Sequence, residues 1–432
     1  MSLTSALHNA SSGLSVALKA ASTTSSNLAN ALTEGYARRE LSVSARQIGG
    51  VLAGTTRRSV DPVLLSDLRL TNSDQAGLNV QTGALDRIER MLGTADDPNN
   101  LTARVTRVET ALVTAIANPA QQTLRTDVVT AARDLATHLN DTARDLQTTI
   151  SRADQDLAQE VDQLNQRLSQ VARLNASILA AGPRDAAGLM DQRQAVIDQI
   201  AEQVPVKTLM QGNGTVALMT PKGQFLLNEG AIPVAFSTSG QLAEGAAAQP
   251  VRVLGQPLRL EGQGRIGALI TLRYDIAPQA LDRVRAFGVD LSERSAAAGV
   301  ALFNATSTPA GVSVSDALQQ DSFAASTAQA ASQMAGLLDG FQAPRETAFG
   351  AVNLSTHAAR LTETQSQDAH MASQKQASSM ARQSALSALM AQDGVDTDGE
   401  MQNLLRIEKF FAANAKALQV LDELYTDLLR AT

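Results

Sequence analysis

Residues 404–428 read LLRIEKFFAANAKALQVLDELYTDL, and their spacing decides the architecture. Large, mostly apolar residues recur at alternating intervals of three and four positions through four heptads, and we call them the C-terminal stripe. Asn414 is the polar residue within it. The stripe consists of Leu404, Ile407, Phe411, Asn414, Leu418, Leu421, Tyr425 and Leu428. Such spacing is typical of a helix that packs lengthwise against another helix, where one buried Asn can set the register. An amphipathic helix on a globular core is the alternative, but it does not require spacing this strict.

The N-terminal residues offer the expected partner, because about residues 4–32 read as one long helix. Leu7, Leu14, Ala21 and Leu28 recur every seven residues, with smaller residues at the companion positions. A helix with so little apolar surface is marginal by itself in water. We therefore predict that the two ends of the chain pair.

The composition agrees with long helices rather than a thick core. The 432 residues are 44% hydrophobic but only 3% aromatic, so most of the apolar content is Ala, Leu and Val. The predicted fold class is mainly α. We expect an elongated helical bundle or coiled coil formed by paired N- and C-terminal arms, with a small inserted β domain.

Several classes of function are disfavoured at once. The net charge of −7 argues against a nucleic-acid binder, which needs a basic face. No run approaches ~18 consecutive apolar residues, so we expect no membrane insertion. The absence of cysteine excludes disulfides and thiolate catalysis. Residues 1–33 also lack the basic start and apolar core of a cleavable signal peptide.

The interior is helical on both sides of a β-like segment. Helices are expected at about 61–92, 101–117, 120–181, 186–203, 266–304 and 346–392. The helix over 120–181 carries the longest stripe and ends at Gly182-Pro183. Short β-like runs fill 205–264. This order predicts three domains: residues 1–40 plus 393–432 as a terminal coiled coil, 41–204 plus 265–392 as a long-helix rod, and 205–264 as an inserted β domain.

Motifs that suggest chemistry are weak in this chain. Gly262-x-Gly264-x-x-Gly267 matches a dinucleotide fingerprint, but a second helix follows where a parallel strand is required. Asp396-x-Asp398-Gly399 lacks the other carboxylates of a calcium loop. The four His residues do not form a pair at ligand spacing. We predict no enzyme, no catalytic residue, no metal site and no cofactor.

The end of the first helix carries a more specific signal. Residues 27–38 read NLANALTEGYAR, which resembles the Asn-Ile-Ala-Asn-x-x-Thr-Pro-Gly-Tyr segment of bacterial flagellar axial proteins (rod, hook and hook-associated). Leu28 replaces Ile and Glu34 replaces Pro. Residues 393–405 resemble the entry to the C-terminal helix of the same family, although this chain has Glu408-Lys409-Phe410-Phe411 where that family has Gln-x-x-Tyr.

Three interior segments resemble, more specifically, those axial proteins of the family that form the hook–filament junction. These segments are Leu189–Arg193 (LMDQR), Gly267–Arg273 and Val312–Ser315. The chain has room for only one small β module, so we expect an outer domain of these members to be missing.

The resemblance implies a structural subunit of the flagellum, required for filament assembly, located outside the cell at the junction of hook and filament. It implies a ring or tubular polymer of this chain, with terminal helices lining the channel. Hook protein and the second hook-associated junction protein are the implied neighbours. Export by the flagellar type III apparatus is implied, with a cytosolic chaperone on the C-terminal helix. The alternatives are another axial protein, such as hook protein or the second junction protein, and a cytosolic helical signalling rod.

The predicted assembly interface joins the motif residues to the two stripes. Its members are Leu7, Leu14, Asn27, Leu28, Asn30, Gly35, Tyr36, Leu404, Ile407, Phe411, Asn414, Leu418, Leu421 and Tyr425.

Overall fold

A computed structural model describes most of the chain. The described residues are 3–33, 35–47, 49–94, 96–238, 250–306, 308–315, 323, 326–392 and 394–431. Glu34 and Asp393 of the terminal motifs and the side chain of Leu428 lie outside this part.

Long helices dominate the described part. They are α1 Leu3–Ala29, α2 Pro62–Leu92, α3 Leu101–Ala117, α4 Gln122–Asp185, α5 Ala187–Gln203, α6 Gly264–Thr271, α7 Ala277–Ala297, α8 Thr327–Gln342, α9 Leu354–Gln392 and α10 Thr397–Ala431. The prediction of a mainly helical fold with paired terminal arms is confirmed, because α1 packs along α10. The accessible surface is 22322 Å², whereas a compact monomer of this mass exposes roughly 16,000 Å². The molecule is therefore extended.

The strands are short and pair antiparallel. They are β1 Arg39–Ala45, β2 Val51–Arg58, β3 Lys207–Met210, β4 Val216–Met219, β5 Phe225–Leu227, β6 Val234–Ala235, β7 Arg252–Val253, β8 Gln256–Pro257, β9 Phe303–Ala305, β10 Val312–Val314, β11 Arg345–Thr347 and β12 Gly350–Val352. The predicted β segment forms two three-stranded sheets, β3–β4–β5 and β6–β7–β8.

Helix α4 forms the spine of the body. Its predicted stripe is buried from Val128 to Ile178, apart from the half-buried Ala131. Helices α3, α5, α6 and α7 all pack on α4. The helix is interrupted where Gly182-Pro183 predicted its end, because Gly182 adopts φ 70° and ψ 178°. About 60 residues of uninterrupted helix give a spine roughly 90 Å long.

Three asparagines of α4 hold strand backbone against this spine. Asn165 donates to the carbonyl of Val234 (2.8 Å) and accepts from its amide (2.9 Å). Asn175 does the same with Val216 (2.8 and 3.2 Å). Asn140 donates to the carbonyl of Val312 (2.8 Å) and accepts from the amide of Ala310 (3.0 Å). Because an amide can donate and accept at once, each Asn satisfies strand groups that the short sheets leave unpaired. The inward residues of the sheets consequently join the same core as α4.

The segment after residue 264 departs from its prediction. Pro278 was expected to start a new helix, but α6 continues into α7 through a π-helical turn at Leu272–Ile276. A π turn shifts the hydrogen-bond pattern by one residue and can accommodate the missing N–H of proline. Helix α7 ends at Ala297 rather than near Asn304, because Gly299 takes φ 74° and residues 303–305 pair as a strand.

One further prediction needs correction, and two elements were missed. The tract expected to be helical from Glu346 begins with the β11–β12 hairpin, and α9 starts only at Leu354. Helix α8 and the β1–β2 hairpin were not anticipated. Leu41, Val43 and Ala45 of β1 alternate with polar residues, but the residues of β2 (VLAGTTRR) do not alternate. Only one of the two strands therefore carries the pattern that identifies a strand in a sequence.

A buried ionic cluster joins α7, α8 and α9. Asp290 accepts from Arg294 Nε (2.9 Å) and lies 2.8 Å from His357 Nδ1. Arg294 also donates to the carbonyls of Gly340, Ala343 and Val352. Burial raises the pKa of Asp290, but the hydrogen bonds from His357 and Arg294 outweigh it and hold the pKa below its ordinary value. Asp290 therefore contributes stability as a carboxylate.

We predict that Asp290→Asn lowers the free energy of unfolding at pH 7 by about 1–3 kcal/mol. The folded-state pKa of Asp290 lies below the unfolded value of about 4, so its stabilisation is present above about pH 4 and is lost as the pH falls through the lowered pKa. Urea unfolding at a series of pH values should show the gap between the two proteins closing in acid. Asp156→Asn, at an exposed position of α4, is the control. A gap that is equally large at pH 7 and pH 2.5 would contradict this role.

Candidate assembly interface

Helices α1 and α10 lie antiparallel along their lengths. Asn403 Nδ2 reaches Thr24 Oγ1 (3.4 Å) near one end of the pair. Further along, the side chain of Asn414 lies against Gly13, where an added Cβ would be only 2.6 Å from Asn414 Oδ1. Glycine in a helix interior costs about 1 kcal/mol relative to Ala. Here it permits the close approach of the two helices.

The predicted stripe residues lie at or beside this contact. Asn414 is half-buried, and its Nδ2 donates to the carbonyl of Phe410 in its own helix (2.9 Å). The other half-buried members are Leu14, Leu28, Leu404, Ile407, Leu418 and Leu421. Leu7, Phe411 and Tyr425 are exposed by 47%, 38% and 58%. The packing of α1 against α10 thus buries only part of the predicted assembly interface.

A second set of apolar side chains on α10 faces solvent. Met401, Leu405, Phe410, Val420 and Leu424 are exposed by 43% to 55%. Among the described residues of α10, only Glu400 is buried. Exposed apolar side chains mark an interface where they lie together, and here Phe410 adjoins the exposed Phe411 and Leu424 adjoins the exposed Tyr425.

The motif after α1 forms a compact hydrogen-bonded turn. Asn27 is 1% exposed, and its Oδ1 accepts from Tyr36 Oη (2.8 Å) and from the amide of Arg39 (2.9 Å). Its Nδ2 donates to the carbonyl of Arg39 (2.9 Å). Asn30 donates to the carbonyl of Ser26 (2.9 Å), and Gly35 supplies the reversal at φ 77°. Asn27 and Tyr36 therefore position β1 against α1.

Ion pairs connect this terminal unit to the body. Asp191 on α5 accepts from Arg39 Nη2 (2.8 Å) and from Arg58 Nε (2.7 Å). Arg58 also donates to Gln194 Oε1 (2.7 Å). Arg39 lies 4.9 Å from the centre of the Tyr36 ring, and burial is the main cause that raises the pKa of this phenol. We call Arg39, Arg58, Asp191 and Gln194 the α5 bridge.

A further ion pair ties the hairpin to the start of α10. Arg38 Nε donates to Glu400 Oε1 (2.8 Å), and Glu400 is 3% exposed. This hydrogen bond is the main cause that raises the pKa of Arg38. The same hairpin thus contacts α1, α5 and α10.

The LMDQR segment contributes a buried arginine as well as Asp191. Arg193 Nη1 donates to Asn175 Oδ1 and to the carbonyl of Gly214, both at 2.9 Å. Desolvation lowers its pKa to about 10, with smaller contributions from Arg58 and Arg69. Asp191 and Arg193 therefore face different neighbours: the terminal unit and the β segment.

The sequence analysis missed Gly13 and the α5 bridge. The arginines stand in two doublets, Arg38-Arg39 and Arg57-Arg58, on either side of Gly49-Gly50. Paired Arg doublets around a Gly-Gly turn could have indicated a hairpin with charged ends. Asp191, the partner of Arg39 and Arg58, is more than 130 residues away from both, and local spacing does not reveal it.

Comparison with known proteins now bears on this geometry. The family model for the flagellar hook-associated protein FlgK helical domain matches residues 85–300, which is half of the chain. The chain belongs to the FlgK family. A second model, for the flagella basal body rod protein, matches residues 7–36, which contain α1 from Leu7 onward and the Asn27–Tyr36 turn. FlgK membership favours the hook-associated interpretation over both alternatives raised by the sequence.

Curated relatives carry the name flagellar hook-associated protein 1. The one from Salmonella typhimurium is 26% identical over 311 residues, covering 66% of this chain and 53% of the relative. The Escherichia coli protein is 25% identical over 311 residues, covering 66% of this chain and 54% of the relative. The Bacillus subtilis protein is 28% identical over 235 residues, covering 50% of this chain and 46% of the relative. The chain therefore spans about half the length of the curated relatives it matches.

A solved structure is also similar. It is the flagellar hook junction protein FlgK from Burkholderia pseudomallei, with 20% identity and a TM-score of 0.47 over 56% of this chain and 47% of that chain. Among the described residues, no helix is long and apolar enough to span a membrane.

We predict that Gly13→Val separates the terminal helices, because the added carbons would overlap Asn414. Overpacking of this kind costs about 1–3 kcal/mol. Asn414→Ala removes the opposing side chain and should suppress the effect when the two are combined. Spin labels placed on α1 and α10 would report the separation. A double variant that is as separated as Gly13→Val alone would contradict the proposed contact.

We predict that Asp191→Asn loosens the terminal unit from α5 while leaving the body intact. The substitution leaves two arginines without their carboxylate and should cost about 1–3 kcal/mol of docking free energy. Amide hydrogen exchange should rise in residues 36–58 but not in α4. Asp198 lies on α5 like Asp191, but it pairs with Arg69 of α2. Asp198→Asn is therefore the matched control and should leave the amide exchange of residues 36–58 unchanged. Equal protection of residues 36–58 in wild type and Asp191→Asn would contradict the role of the α5 bridge.

Proposed function

We propose that this chain is a structural subunit of the bacterial flagellum that forms the junction between hook and filament and is required for filament assembly. Its FlgK membership supports the location. The observation that carries the assembly role is the apolar face of α10, which the isolated chain leaves exposed. Burying one such side chain in a neighbouring subunit would contribute about 1.5–3 kcal/mol.

In the proposed assembly, subunits form a ring or tube in which the paired terminal helices line the channel. Residues 1–40 with 393–432 form the terminal domain, and 41–204 with 265–392 form the rod. The inserted segment 205–264 faces outward. The low charge of α1, whose ionisable side chains are His8 and Lys19, supports a packed wall rather than a solvated surface.

The proposed neighbours are hook protein on one side and the second hook-associated junction protein on the other. The proposed route out of the cell is the flagellar type III export apparatus. Before export, a cytosolic chaperone would bind α10, whose exposed apolar residues suit helix-in-groove recognition. The assembled protein would then be extracellular, and it would act without catalysis or a cofactor.

We predict that Leu405→Asp blocks assembly without altering the free protein. Leu405 is 55% exposed, so the new charge stays hydrated in the monomer but would be desolvated in the junction. Cells that carry only this variant should make hooks without filaments and release filament subunits into the medium. Val113→Asp is the matched control, since Val113 is 53% exposed on α3 of the body.

The readouts are swimming, electron microscopy of hooks and the circular-dichroism melt of the purified chains. Chaperone binding by each variant is measured separately, so that a loss of export can be distinguished from a loss of assembly. Normal swimming by Leu405→Asp cells would refute the role of this face. Wild-type protein that never associates with hooks would refute the proposed function itself.

A further inference from the structure

One surface of the β1–β2 hairpin is exposed, and no described residue of the chain covers it. Leu52 is 46% exposed, and Arg46 and Arg57 are exposed on the same hairpin, near its tip and near its base. We call Arg46, Leu52 and Arg57 the hairpin surface. Cross-strand pairing puts Arg57 opposite Glu40, whose carboxylate is held by Arg38 (2.6 Å).

The hairpin arginines divide into two groups. Arg38, Arg39 and Arg58 are bound to carboxylates of α10 and α5. Arg46 and Arg57 have no carboxylate within ion-pair distance among the residues the structure describes. The hairpin therefore displays surplus positive charge on the strands that carry Leu52, and the other large apolar side chain exposed on its described residues is Val43.

The end of α10 shows the complementary pattern. Asp422, Glu423 and Asp427 are exposed, and Leu424 between them is 48% exposed. We call these four residues the acidic end. Glu423 accepts a hydrogen bond from Gln419, but in the described structure no cation forms an ion pair with the acidic end. The facing start of α1 carries one ionisable side chain, His8.

The two surfaces lie near the same end of the molecule but do not meet within one copy. The tip of the hairpin touches α1 at Ser12, whose Oγ accepts from the amide of Val51 (3.1 Å). The groove between α1 and α10 at Ala6 and Ala10 is lined on the other side by Ala417 and Leu421. The acidic end follows Leu421 along α10 and thus lies beyond the stretch of α1 that the hairpin tip touches.

We propose that the hairpin surface of one copy docks on the acidic end of α10 in the next copy. The occupant is a second copy of this chain, because both complementary surfaces belong to the same sequence and each stays unsatisfied alone. Since the two surfaces differ, the contact is heterologous and head-to-tail, so it generates rings or helical polymers rather than closed dimers. This inference rests on the proposed function and identifies contact surfaces for the polymer.

The test uses cysteine cross-linking, which is clean because the natural chain has no cysteine. A chain carrying Leu52→Cys and Leu424→Cys is expressed in cells lacking the wild-type gene, and isolated hooks are oxidised. The expected product is a ladder of disulfide-linked oligomers. Each single-cysteine chain should stay monomeric, because homotypic contacts would appear there as dimers. A ladder confined to the two-cysteine chain therefore requires the hairpin-to-α10 contact.

Charge reversal supplies the specificity control. In the two-cysteine chain, Arg46→Glu with Arg57→Glu should reduce the ladder by roughly tenfold or more, because like charges would face each other. Asp422→Lys with Glu423→Lys and Asp427→Lys should do the same. Co-expression of these two reversed chains should restore the ladder, since every hairpin then meets an α10 end of opposite charge. Arg144→Glu with Arg360→Glu, at exposed body positions, should change nothing.

A ladder that persists through either reversal would overturn the inference, as would hairpin-to-hairpin dimers in place of a ladder. A disulfide between one of these cysteines and a cysteine engineered into a different flagellar protein would also overturn it. In each of these cases the chain is still on the hook, so the proposed function stands. Absence of the wild-type chain from hooks would instead refute the proposed function.

Discussion

The continuous apolar stripe of α4 is the constraint on which the rest of the structure depends. With 12 aromatic residues in 432, the chain cannot build a thick core, so it spreads small apolar side chains along one long helix. Neighbouring helices and both three-stranded sheets bury their residues against that stripe. Asn140, Asn165 and Asn175 then satisfy the strand backbone that such short sheets would leave unpaired.

The terminal unit follows different physics. Helices α1 and α10 bury little apolar surface, and close packing at Gly13 and polar contacts hold them together. The unit is attached to the body by arginines of the β1–β2 hairpin rather than by a shared core. An element that is stabilised weakly in the monomer retains free energy to gain from neighbours. This agrees with the assembly role that we propose for the terminal helices.

Local periodicity explains what could be predicted from the sequence. The stripe of α4, its end at Gly182 and the start of α2 at Asp61-Pro62 all rest on spacing or capping within a few residues. The pairing of the two ends followed from matching heptads. The β1–β2 hairpin was missed because only β1 alternates apolar and polar residues, while β2 does not. The α5 bridge joins residues more than 130 positions apart, and the π turn lets a helix continue through Pro278, where the sequence rule predicts a new start.

The central claim is that the exposed face of α10 becomes buried when the chain joins the hook. Its most direct test is the reactivity of Leu405→Cys with a maleimide, in the free protein and on isolated hooks, with Val113→Cys as reference. We predict that both cysteines react in the free protein, and that on hooks only Val113→Cys remains reactive while Leu405→Cys is protected by at least about tenfold. Equal labelling of Leu405→Cys in the free and hook-bound protein would contradict the account.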